Sequence, residues 1–194
     1  TAEIFIKKEC MESEFYLQVV TLLHELNPTA ESAFKMGKRL YSKKEFSEAI
    51  SYFKEAFDNE ESDNIKKSKY AYYTAAASAL VGSYSNARSY ALKALNFRKN
   101  WGDPYILIGK LYAQTASKCG NDPASKKAGY WAAIDKFKRA KSIDKSSEKE
   151  ANKLISEYNK RVPTKSLWRD NIANPDSKTY KISCWYSETV NVRF

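Results

Sequence analysis

The chain has 194 residues, enough for one sizeable core or a short repeat array, and with 43% apolar and 14% aromatic residues it is not a disordered composition. Six Gly and five Pro argue against a loop-rich or fibrous protein, and no apolar run approaches the ~18 residues that would cross a bilayer. The formal charge is +10, carried by lysines spread along the chain, many beside Glu or Asp, which reads as solvated helical faces.

Residues 2–10 are expected to form a short helix. Residues 13–26 form a stronger one, with Phe15, Val19, Leu22, Leu23 and Leu26 on one stripe. It stops at Asn27-Pro28, because proline disfavours helix in the residue before it, and Thr29 is placed to cap the next helix. Residues 1–28 are thus read as edge helices, a partial repeat. The first full repeat covers about 30–60. Its first helix carries Phe34, Met36, Gly37, Leu40 and Tyr41, and a turn near Lys43-Lys44 leads to a second helix with Phe46, Ala49, Ile50, Phe53, Ala56 and Phe57. The second repeat runs about 68–100. Its helices are Tyr70 to Leu80, stopped by Gly82 in a left-handed conformation, and one from near Ser85 with Ala87, Tyr90, Ala91, Ala94 and Leu95.

The third repeat, about 103–144, opens at Asp103-Pro104, an N-cap followed by a first-turn proline. An insertion near 115–127 separates its first helix from a second with Trp131, Ala133, Ile134, Phe137 and Ala140. Ser147 and Glu150 read as a capping-box pair opening a helix over 147–161. Its one apolar face, Ala151, Leu154, Ile155 and Tyr158, suits the closing element of an array. The tail, 163–194, changes character. Lys165–Ala173 forms a short helix, Asn174–Ser177 a turn, and the alternation of Tyr180, Ile182, Cys184 and Tyr186, resumed at Val190, Val192 and Phe194, predicts a β-hairpin over about 179–194.

One spacing ties the middle of the chain together. Gly37, Ala49 and Ala56 are 12 and then 7 residues apart, and Ala75, Ala87 and Ala94 repeat that spacing. Gly109, Ala133 and Ala140 show 24 and then 7, the same pattern with the insertion added, and Gly109 lies 34 residues after Ala75. Small residues at this period let paired helices approach closely, the mark of a stacked helical-hairpin array. With Met36-Gly37, Phe46, Ala49-Ile50, Phe53 and Ala56, and the matching sets Tyr84, Ala87, Ala91, Ala94 and Ile108-Gly109, Ala133-Ile134, Phe137, Ala140, the chain resembles the tetratricopeptide (TPR) repeat family. It departs from the pattern in Ala75, in Lys145 and in the insertion. The resemblance implies an all-α, right-handed helical-hairpin superhelix that binds other proteins.

A second resemblance covers the last third. Cys119-Gly120, Lys126 to Ala133, Tyr180 to Trp185 and Thr189 to Arg193 resemble the C-terminal part of TPR proteins from the cell envelope of Gram-negative gut bacteria. It implies a periplasmic or envelope-associated location and brings no established catalytic role. The chain begins at Thr1 without Met or a signal-like segment, as expected of a trimmed or mature fragment whose missing part holds targeting signals or more repeats. Cys10, Cys119 and Cys184 form no CxxC pair and no disulfide framework, and leave one bridge with one spare thiol open.

In TPR arrays the first helix of each repeat lines a groove. That implies a partner-binding surface from Phe34, Lys38 and Tyr41, then Tyr72, Tyr73 and Ala76, then Ile106, Lys110 and Ala113. Aromatics with lysines suit an extended, acidic peptide. His24, the only histidine, has no motif supplying a nucleophile or an orienting carboxylate, and is read as structural. Asn121 and Asp122 are turn residues, too few for a cation loop. No P-loop, dinucleotide glycine fingerprint or HExxH is present, so no cofactor, metal or catalytic residue is expected. The leading reading is a non-enzymatic protein-interaction scaffold. The alternative is an RNA-binding helical repeat using its basic surface, whose densest stretch is Lys126, Lys127, Lys136, Lys138, Arg139 and Lys141.

Overall fold

The computed structural model describes residues 14–194; the helix expected over 2–10, and Cys10 with it, lie outside them. The chain divides into two compact units, Thr1–Arg98 and Lys99–Phe194.

The first unit holds α1 (Glu14–Leu26), α2 (Ala30–Ser42), α3 (Phe46–Asn59), α4 (Asn64–Leu80) and α5 (Tyr84–Phe97), each packed on the next. Local chemistry sets the boundaries. Thr29 has an extended backbone, its hydroxyl accepts from the Ser32 amide at 3.1 Å, and Ser32 Oγ accepts from the Thr29 amide at 2.9 Å. Two otherwise orphaned donors are thereby satisfied. Lys44, at φ 65°, and Gly82, at φ 75°, turn the chain out of α2 and α4. Asp63 accepts from the Ile65 and Lys66 amides at 2.9 and 3.0 Å, so α4 starts at Asn64, earlier than periodicity alone suggests.

Small residues set the packing distance. Ala49, Ala56, Ala75, Ala87, Ala91 and Ala94 are fully buried. A Cβ added at Gly37 would lie 2.5 Å from the Phe53 ring, so α3 lays this aromatic side chain directly on the backbone of α2. Gly37 therefore accommodates the Phe53 ring. Along α1, Val20 is buried while Phe15, Leu22, Leu23 and Leu26 are exposed. The apolar stripe is correct as a helix signal but not as a buried face, since among the described residues α1 packs mainly on α2.

The second unit holds α6 (Asp103–Thr115), α7 (Ser125–Ile143), α8 (Glu148–Asn159), α9 (Lys165–Asn171) and the strands β1 (Thr179–Ser183) and β2 (Ser187–Asn191). A Cβ at Gly109 would collide with the ring of Phe137, the same device as Gly37 and Phe53 one unit earlier. The insertion forms one 3-10 turn at Ala116–Lys118 and a loop, and its last residues, from Ser125, open α7. Ser147 does not cap α8. Its backbone is already helical (φ −82°, ψ −7°), and its hydroxyl is buried against Gly102 with no hydrogen-bond partner among the described residues. Asp144 caps the turn before α8 instead, accepting from the Ser146 amide at 3.0 Å and from the Gly102 amide at 2.9 Å.

The hairpin is antiparallel, with Tyr180 opposite Val190 and Ile182 opposite Glu188. Two strands alone are marginal in water. Here Ile182 and Val190 are buried, Tyr186 stacks on Tyr112 with centroids 3.8 Å apart, and Tyr180 meets the edge of Trp168, which packs on Trp131 at 4.9 Å. A disulfide joins Cys119 in the insertion to Cys184 in the hairpin turn, 65 residues apart. Polar contacts fix the register. The Tyr112 hydroxyl donates to Glu188 at 2.8 Å, Lys136 pairs with the same carboxylate at 2.8 Å, and Arg193 reaches Asp135 at 2.8 Å and the Trp131 carbonyl at 2.9 Å.

Candidate functional site

In the first unit α2 and α4 contribute neighbouring aromatic side chains. Phe34 is buried, its ring 4.6 Å from Tyr70 and 5.1 Å from Tyr73. Tyr73 also lies 5.4 Å from Phe53, 6.4 Å from Tyr41 and 6.3 Å from Tyr72. Tyr41 meets Phe46 edge-on at 5.2 Å. Phe34, Phe53 and Tyr70 therefore form a floor, and the half-buried Tyr41, Tyr72 and Tyr73 sit at its surface. Lys38, half-buried, stands one helical turn from both Phe34 and Tyr41, and Ala76 one turn from Tyr72 and Tyr73.

Lys69 joins this face with its ammonium 4.9 Å from the Phe34 centroid. It escaped the sequence reading, although its place three and four residues before Tyr72 and Tyr73 on one helix was the signal for it. Neither Lys38 nor Lys69 makes an ion pair with a described residue. Burial, and then Tyr73, raise the pKa of the Tyr41 phenol. The Tyr70 phenol is pushed up to about 12 by burial and then by Glu60, Glu31 and Asp63. Both therefore stay neutral hydroxyls at physiological pH.

The three remaining predicted positions lie on α6 in the second unit. Ile106 and Ala113 are buried, and Lys110 is paired with Glu150 of α8 at 2.6 Å. They form part of the helix packing there, with one ion pair at its surface.

His24 has more partners than the sequence revealed. Its Nδ1 is 2.9 Å from Ser32 Oγ, its Nε2 is 3.3 Å from Glu55, and its ring meets the edge of Tyr52 at 5.5 Å. An open pocket beside it is lined by Glu48, Ser51, Tyr52 and Glu55. A serine, a histidine and a glutamate in a row invite comparison with a hydrolytic triad. Ser32, however, accepts from the Thr29 amide and lies within hydrogen-bonding distance of the Asn27 and Thr29 carbonyls. Its hydroxyl belongs to the cap of α2, and the trio links α1, α2 and α3. Among the described residues no group of three or more His, Cys, Asp or Glu side chains is arranged to hold a metal ion, and no helix is long and apolar enough to cross a membrane.

No family model matches the chain, and no curated protein matches it either. Solved structures do. The chain is similar to a chain of the APC/C hetero-tetramer Cut9–Hcn1, with a TM-score of 0.60 at 15% identity over 73% of its residues. That match spans 26% of the Cut9–Hcn1 chain, so this chain corresponds to about a quarter of it. It is similar to MamA, with a TM-score of 0.54 at 14% identity over 82% of this chain and 93% of that one. It also matches the MamA RS-1 ArsTM double mutant, with a TM-score of 0.57 at 16% identity over 89% and 97%. These neighbours are TPR-repeat proteins, and at such identities the likeness is one of fold.

Proposed function

We propose that this chain, which has the TPR helical-repeat fold joined to a short β-hairpin, is a non-enzymatic module that binds a protein partner on the tyrosine face of α2 and α4. The observation that carries this reading is the pairing of half-buried Tyr41, Tyr72 and Tyr73 with Lys38 and Lys69, two ammonium groups without ion-pair partners among the described residues. Tyrosines supply rigid apolar area with a polar rim, and lysines attract acidic segments. The Cut9–Hcn1 neighbour is itself part of a hetero-tetramer of proteins, which agrees with this use of the fold. The commitment of Ser32 to a helix cap favours a binding role over catalysis at His24.

We also propose a periplasmic or envelope-associated location, the one the resemblance of the last third implies; the Cys119–Cys184 disulfide supports it, since such bridges persist in oxidising compartments.

The test is affinity capture from the host's envelope fraction with the wild type and a Lys38→Glu/Lys69→Glu variant of unchanged circular dichroism. The variant is expected to lose specific partners. Recovery of the same partners by both proteins overturns the assignment of this face. Salt-sensitive binding of mixed single-stranded RNA, with no protein captured, would favour the RNA reading instead.

A further inference from the structure

The first unit carries a second cationic cluster, on α3, α4 and α5, that the tyrosine face does not use. Three rings meet there. Phe57 packs edge-on against Tyr90 and against Phe97, each with centroids 5.8 Å apart. Three lysines stand over them. Lys93 is 4.2 Å from the Tyr90 centroid and 5.4 Å from that of Phe57. Lys67 is 5.3 Å from Phe57 and 5.5 Å from Phe97, and Lys54 is 5.8 Å from Tyr90. All three lysines are half-buried.

Their satisfaction is unequal. Lys67 donates to the Glu60 carbonyl at 2.6 Å. Lys54 and Lys93 share the Tyr90 ring and make no hydrogen bond or ion pair with a described residue. Asp58 is close enough to raise the Tyr90 phenol further once burial has done so, yet it pairs with neither lysine. Two ammonium groups held at one ring repel each other, and the negative ring face offsets only part of that repulsion. A carboxylate reaching either ammonium would supply the counter-charge that the described residues do not.

We propose that this lysine–aromatic cluster is a docking site for an acidic segment of a protein partner, its carboxylates pairing with Lys54 and Lys93 over Tyr90. A protein segment with spaced carboxylates suits the site better than a polyphosphate, because it can set an acidic side chain at each lysine and turn neutral ones towards Asp58, whose charge reaches Tyr90. This surface is independent of the tyrosine face on α2 and α4, and either assignment can fail alone.

The test uses the full chain with labelled lysine and tyrosine side chains, titrated by NMR at low salt with a peptide that carries two glutamates among neutral residues. A single-stranded RNA oligonucleotide and anionic phospholipid vesicles are run in parallel. The peptide is expected to move the Lys54, Lys93 and Tyr90 signals. A Lys54→Gln/Lys93→Gln variant should bind it about tenfold more weakly, whereas Lys126→Gln/Lys127→Gln should bind as the wild type does. Gln keeps most of the side-chain stem over the ring. Should the double variant melt early, each single variant must still show a clear loss. The proposal is overturned if the Gln variants bind like the wild type, or if shifts spread evenly over the lysines. It is equally overturned if the peptide moves only Lys38, Lys69 and Tyr72, or if RNA or vesicles displace the peptide from the cluster.

Discussion

The two units solve one packing problem in different ways. In both, a glycine on the first helix of a pair receives a phenylalanine from the second, Gly37 under Phe53 and Gly109 under Phe137. The first unit needs little else. Its helices follow one another through short connections, and fully buried alanines bring them together. In the second unit an insertion separates α6 from α7, and a tail returns to cover both. There the chain adds a disulfide, two buried tryptophans and a carboxylate shared by Tyr112 and Lys136. The contrast teaches that regular spacing suffices while neighbours in sequence are neighbours in space. Once a connection is long, its closure entropy has to be offset by specific contacts.

The comparison can be broken at several points. Phe53→Ala empties the shared floor of the first unit and should cost about 3–5 kcal/mol, read as lost hydrogen-exchange protection in α2 and α3. Cys184→Ser frees the staple of the second unit and should cost about 2–4 kcal/mol there, since the bridge closes a long loop. Reductant should lower the wild-type melting temperature by a similar amount and leave that of Cys184→Ser unchanged. If reductant destabilises both proteins equally, the staple is not what holds the hairpin.

Ala49→Leu overpacks the helix pair of the first unit and should cost about 1–3 kcal/mol, with helical content retained. The smallest effect sharpens the contrast within the insertion. Asp122 accepts from the Ala124 and Ser125 amides at 2.9 and 2.8 Å and from the Ser125 hydroxyl at 2.5 Å. Burial pushes its carboxyl up, but these bonds push further, and the net result lies below the ordinary value. Because the folded carboxyl is the stronger acid, its contribution is present at neutral pH and fades as pH falls through the folded value. Asp122→Ala should therefore cost about 1 kcal/mol at neutral pH and progressively less in acid, measured by denaturant melts across that range.

Periodicity and the repeat resemblance did different work. The resemblance implies that the first helix of each pair lines a groove, which picks out Phe34, Lys38, Tyr41, Tyr72 and Tyr73, and the structure puts these residues on α2 and α4. Burial of Phe34 beneath Tyr70 and Tyr73 could not be read, since it depends on how two helices far apart in sequence approach each other. The same holds for His24, whose partners Ser32 and Glu55 arrive from two other helices. Ser147 misled for a local reason. Its sequence context suits a cap, but the preceding 3-10 turn had already given it helical backbone angles.

By itself the sequence determined the succession of helices, their repeat and the small residues on which they close, because these follow from local propensity and a fixed period. It also determined the two-strand tail, through alternation and turn residues. Only the tertiary structure decided that Cys119 pairs with Cys184, that the hairpin seats on Tyr112 and Trp168, and which lysines make no ion pair among the described residues. Those outcomes depend on distances between residues remote along the chain, and no local pattern encodes such distances.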